Sequence, residues 1–100
     1  MVNIGRNVKT IGANAFYGCT ALKKVTIPTK VNKIGKSAFR GCRRLRTITI
    51  KTTKLKAKTV GANAFKGIHK KAVIKSPKSK KKAYKKILLK KGMKKTMTFK

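Results

Sequence analysis

One motif returns three times along this chain, and its spacing limits the possible folds more than any other feature. Ile11-Gly-Ala-Asn-Ala-Phe16-Tyr-Gly18-Cys19, followed by Leu22, Val25 and Ile27, recurs 23 residues later as Ile34-Gly-Lys-Ser-Ala-Phe39-Arg-Gly41-Cys42, followed by Leu45, Ile48 and Ile50. A third copy, Val60-Gly-Ala-Asn-Ala-Phe65-Lys-Gly67-Ile68, is delayed by three residues because Lys51-Thr-Thr-Lys54 lengthens the connection. A preceding half-cycle is also visible: Val2-Asn-Ile4, Val8 and Ile11 occupy the places of Val25-Thr-Ile27, Val31 and Ile34. A unit of this length cannot bury its own apolar face, so the copies must stack and share a core.

Each unit ends in a short alternating run, and alternation marks a strand with one buried face. Val25 and Ile27 point inward, as do Ile48 and Ile50, while Thr26 and Thr49 form an outward column. In the third copy the same pattern puts Ala72 and Ile74 inward and Val73 in that column. A threonine column is first of all β-propensity on a solvated face. Phe16, Phe39 and Phe65, with Leu22 and Leu45, are core positions. Cys19 and Cys42 share their repeat position with Ile68, which favours an apolar packing slot filled by free thiols; a disulfide is the alternative, since stacking can bring the two Cα atoms within bonding range.

The period and pattern resemble the BspA-like leucine-rich repeats, in which A-F, then G-C, then L-x-x-V-x-I-P recurs; Ala15-Phe16, Gly18-Cys19 and Leu22 through Pro28 match it. The resemblance implies an α/β repeat solenoid: a short stack of about 23-residue units with short parallel strands. It also implies a non-enzymatic recognition module, commonly of bacterial surface or secreted proteins, without naming a ligand.

Residues 1–75 read as the repeats and residues 76–100 as a C-terminal cap of one helix and one strand. Ser76-Pro77 breaks the preceding strand, and Lys78 to Lys91 reads as a helix with Ala83, Tyr84, Ile87 and Leu88 on one apolar stripe and Leu89 away from it. Gly92 is the stop, and Thr96 to Phe99 alternates as a final strand. Lysine-rich tails of this form often close the arrays that the chain resembles. The open strand at Val2 to Ile4 suggests a fragment of a longer array or an end that pairs with another copy.

Charge decides the function classes. Thirty Lys and Arg face no Asp or Glu, a formal charge of +30, where an average chain of this length holds roughly a dozen acidic residues. Carboxylate-dependent catalysis and calcium or magnesium sites are thereby excluded. One histidine, His69, and two cysteines do not make a four-ligand zinc site, so neither metal nor cofactor is expected. His69 reads as a surface residue in a loop.

The basic residues are unevenly placed. The first 22 positions hold only Arg6 and Lys9, whereas residues 75–100 hold twelve lysines. Arg40, Arg43, Arg44 and Arg46 stand where the first copy has Tyr17, Thr20, Ala21 and Lys23, so folding does not require arginine there. Guanidinium groups bind phosphate or carboxylate with a planar fork, and a cluster of them flanked by lysine suits a polyanion. The candidate contact residues are these four arginines with Lys66, Lys70, Lys71, Lys81, Lys82, Lys85 and Lys86.

Three functions follow: binding of nucleic acid through phosphates with little sequence preference, adhesion to teichoic acid, sulfated glycans or a host protein, and blockade of an acidic or nucleic-acid-processing partner protein. The lysine-rich helix also invites a membrane-surface reading, but its narrow stripe has an internal role in closing the core. No signal peptide or membrane span is seen. The expected location is the cytoplasm for a complete chain, and the cell surface or exterior for a piece of a longer one.

Overall fold

The computed structural model describes residues 4–100, so Val2 and Asn3 of the expected first strand lie outside the described residues. In chain order the elements are β1 (Thr10–Ile11), β2 (Lys24–Ile27), β3 (Lys33–Ile34), β4 (Thr47–Ile50), a 3-10 turn (Ala57–Thr59), β5 (Val73–Lys75), a second 3-10 turn (Lys78–Lys80), α1 (Lys81–Leu89) and β6 (Thr98–Phe99). They build a repeat α/β fold with parallel strands. One ladder runs β2-β4-β5-β6, every pair parallel, and a smaller one pairs β1 with β3 and extends by a bridge from Ile34 to Val60.

Register follows from the repeat spacing. Val25, Ile48, Ile74 and Phe99 stand side by side, and so do Ile27 and Ile50. All of these except the half-buried Phe99 are closed to solvent. Shifting any strand by one residue would turn its inward set to solvent, so the shared core fixes the pairing. The outward column differs from the expected one. Lys75, not Val73, lies beside Thr49, and Val73 lies in the row of Lys24 and Thr47. The parity of inward and outward positions is kept, but β5 enters the ladder one pair later than its apolar pattern suggested, after the longer connection at 51–54.

A third side of each unit is a tight turn carrying Ala-Phe-x-Gly. Asn14, Ser37 and Asn63 take positive φ of 56° to 59°, as do Gly18, Gly41 and Gly67 at 70° to 84°; asparagine and glycine tolerate this region best. The result is a backbone whose amides point along the stack. Asn14, Phe16 and Gly18 donate to Lys36, Ala38 and Arg40, and Ser37, Phe39 and Gly41 donate to Ala62, Ala64 and Lys66, at 2.7 to 3.1 Å. Units approach so closely that a Cβ on Gly61 would lie 2.3 Å from the Lys36 nitrogen, whereas one on Gly12, in the first unit, meets nothing within 4 Å.

Inside the turns the three phenylalanines stack, Phe16 on Phe39 at 5.0 Å between centroids and Phe39 on Phe65 at 5.2 Å, with planes within 9°. Each such pair adds about 1 kcal/mol to what burial alone contributes. Leu22, Leu45, Cys42, Phe39 and Phe65 are buried, while Phe16 and Cys19 are half-buried against the core because they belong to the first unit and are covered from one side. Both cysteines are free, and the Cys42 thiol donates to the Phe16 carbonyl oxygen at 3.1 Å.

Residues 76–100 lie against the third unit. β6 takes the free edge of β5, with Thr98 and Lys100 amides donating to Ala72 and Ile74. The helix is shorter than its pattern suggested, nine residues rather than fourteen, because residues 78–80 wind as a 3-10 turn and Lys90–Lys91 close as a turn before Gly92. Tyr84 and Leu88, one helical turn apart, are its buried side; Ile87 is half-buried and Ala83 is exposed, off the stripe that its spacing predicts. Leu89 is half-buried. The final strand likewise contracts to Thr98–Phe99, since the Met97 amide donates to Lys94 in a turn.

Tyr84 also reaches the insert at 51–54. Its hydroxyl donates to the Thr52 carbonyl at 2.7 Å and accepts from the Leu55 amide at 3.3 Å. Thr52, Leu55, Met93 and Met97, which the repeat pattern does not mark as core, are all buried.

Candidate polyanion-binding face

Because the chain has no side-chain carboxylate, its cations have no acidic side chain to pair with. Two like charges about 4 Å apart repel by about 1 kcal/mol even in bulk water. Paired strands of neighbouring units lie about 4.8 Å apart, well inside the Debye length of roughly 8 Å at physiological ionic strength, so neighbouring units feel one another's charge. An anion laid across them reverses the sign of each such term.

The backbone fixes where the arginines sit. Arg40 is half-buried between Phe39 and Gly41, and its carbonyl accepts the Gly18 amide at 2.8 Å. The turn places it in line with Tyr17 and Lys66, the equivalent positions of the units before and after. Arg43 and Arg44 are exposed on the turn that follows, closed by the Arg43 amide donating to Gly41. Arg46 is exposed beside Lys23: its amide donates to the Lys23 carbonyl at 2.9 Å, and its own carbonyl accepts from Val73 at 2.7 Å.

The lysines of the candidate set are also exposed, but they occupy separate places. Lys70 and Lys71 follow His69 in the third unit, the Lys70 carbonyl accepting from the Thr96 hydroxyl. Lys81, Lys82, Lys85 and Lys86 lie on the outer side of α1, with the Lys85 ammonium 5.7 Å from the Phe99 ring centroid, within cation–π reach.

The structure divides the four clustered arginines. Arg44 and Arg46 line a depression of about 330 Å3 together with Lys23 and His69, and Arg40 and Arg43 do not line it. Lys23 and His69 are absent from the sequence-based candidate set, because equivalent repeat positions there mark what folding can replace rather than which side chains stand side by side. The signal that finds Lys23 is the 23-residue spacing itself, which sets it beside Arg46. His69 is brought in by its amide, which donates to the Leu45 carbonyl at 3.2 Å.

Two other depressions are built differently, both around Ile4 and Gly5. One, of about 450 Å3, includes Arg6, Thr26, Pro28, Thr29 and Lys51; the other, of about 400 Å3, is largely apolar, with Val8, Ile11, Ala15 and Phe16. Among the described residues no group of three or more His, Cys, Asp or Glu stands close enough to hold a metal, and no helix is long and apolar enough to cross a membrane.

Comparison with protein families matches the chain to the BspA type leucine-rich repeat region, in six copies over residues 1–99. Curated proteins and solved structures give no significant match.

Proposed function

We propose that this chain, which belongs to the BspA-type leucine-rich repeat family, is a non-enzymatic binding module that engages polyanions, nucleic acid first among them, through phosphates and with little sequence preference. Membership of the family supports a repeat interaction module. The observation that carries the finer reading is thirty cationic side chains against no acidic one, with Arg43, Arg44, Arg46 and all seven candidate lysines exposed. In this reading the stack is a short solenoid of about 23-residue units, residues 76–100 cap it, and the ladder and turns hold the cations at fixed spacing.

Phosphate neutralisation releases condensed counterions, so affinity falls steeply with added salt. Base stacking contributes little, because among the described residues Tyr17, 56% exposed, is the one large exposed hydrophobic residue. The test is titration of nuclease-treated protein with duplex DNA, single-stranded RNA, heparin and teichoic acid at several salt concentrations, with Arg40, Arg43, Arg44 and Arg46 changed together to glutamine. The expected result is a log–log salt slope of several units for nucleic acid that becomes shallower in the quadruple variant. Salt-insensitive binding, or no binding at low salt, refutes the proposal.

A further inference from the structure

Lys23, Arg44, Arg46 and His69 come from three successive units, yet they surround one depression. Their adjacency is set by the backbone, through the Arg46 amide on the Lys23 carbonyl and the His69 amide on the Leu45 carbonyl. The His69 ring is oriented as well: its Nδ1 accepts the Lys71 amide at 3.1 Å, which places the ring proton on Nε2 and leaves that N–H as the free donor. Lysine and arginine carry donors and no acceptor. The site is therefore complementary to a group made only of acceptors.

From this we propose that the depression is a discrete site for a phosphate monoester carried on a sugar, the phosphorylated end of a polyanion rather than its interior. The inference rests on the polyanion reading and adds a preferred point of attachment. An internal phosphodiester offers two free oxygens and one charge; a terminal phosphate offers three oxygens and about two charges, closer to the three formal positive charges of Lys23, Arg44 and Arg46. At about 330 Å3 the depression falls at the small end of ligand sites, which run from roughly 300 to 1,000 Å3. That size suits a sugar phosphate better than a bare ion, and because the depression is shallow and open, the preference for a chain end rests on the charge match.

The experiment compares one single-stranded oligonucleotide with a 5′-phosphate and with a 5′-hydroxyl, in salt high enough to weaken general binding. The 5′-phosphorylated form binds about tenfold more tightly, the equivalent of one strong charge-assisted hydrogen bond. R44Q/R46Q abolishes that ratio, whereas R40Q/R43Q, which removes the same charge outside the depression, leaves it. Equal affinities for the two forms, or equal loss of the ratio in both variants, overturn the inference while sparing the general polyanion reading. Absence of binding to either form at low salt removes the general reading instead. In that case titration with ribose 5-phosphate and with ribose, followed at the His69 ring resonances, still decides: a shift with the phosphate alone supports the site, and no shift rules it out.

Discussion

Replacing Tyr84 with phenylalanine removes one oxygen and keeps the ring that fills the core. Tyr84 is 2% exposed, and its hydroxyl serves two buried backbone groups, accepting at 3.3 Å from the Leu55 amide and donating at 2.7 Å to the Thr52 carbonyl. Thr52 is itself fully buried, its side chain engaged with the Val31 carbonyl at 2.6 Å and the Lys54 amide at 3.1 Å, so it has no spare hydroxyl to turn inward. Y84F therefore leaves one carbonyl and one amide unpaired. Each such group costs about 1–3 kcal/mol, and the long Leu55 bond belongs at the low end, so a loss of about 3 kcal/mol is expected. For a domain of this size that corresponds to a fall in Tm of about 15 °C. Urea unfolding at fixed ionic strength measures it, since guanidinium is itself a salt and would screen the charge that opposes folding. A loss below about 0.5 kcal/mol with an unchanged m-value would refute the argument, because it would mean that solvent reaches the insert and serves those groups equally well.

Three further outcomes are expected. Gly61→Ala drives a Cβ into the backbone at Lys36 and lowers stability by at least about 2 kcal/mol, whereas Gly12→Ala meets open space and changes stability by less than about 0.5 kcal/mol; similar urea midpoints for the two would contradict the close stacking. The Cys42 thiol is pushed up to about 11 by burial, so in the folded protein it resists iodoacetamide under mildly alkaline conditions while the half-buried Cys19 reacts; the folded thiol also holds its proton more tightly than the unfolded one, so its stabilisation persists below about pH 9, fades through about pH 11, and is missing from the alkaline stability profile of C42A. Added sodium chloride, from about 50 to 500 mM, raises Tm by screening like charges, and a Tm that falls or stays level would show that the charges are too far apart to matter.

The sequence makes some parts of the structure legible and not others, for physical reasons. β2 and β4 are four-residue alternations in a pattern repeated at fixed spacing, so period and register can be read together. β1 and β3 are two residues each, too short for alternation to show, and they exist because neighbouring units hold them side by side. The entry of β5 into the ladder is ambiguous from Ala72-Val73-Ile74-Lys75 alone, which satisfies the inward-outward parity in either of two pairings; the three-residue delay of the third copy selects the observed one, with Ile74 beside Ile48. Burial of Thr52 and Leu55 depends on Tyr84, which lies about thirty residues away in sequence, and no local pattern announces it. The basic depression is only half legible: Arg44 and Arg46 stand out by residue type, but Lys23 and His69 join them through contacts between units.

The insert at 51–54 and the tyrosine of α1 also bear on how such a chain changes over generations. Duplicating or deleting an inner unit of 23 residues leaves every turn facing a turn of the same shape. The connection holding Thr52 and Leu55 is not interchangeable with the others: moved to an inner place, it would bury a carbonyl and an amide with no hydroxyl to meet them. Insert and helix thus form a pair that recombination must inherit together, so changes in unit number are tolerated only on the amino-terminal side of Lys51.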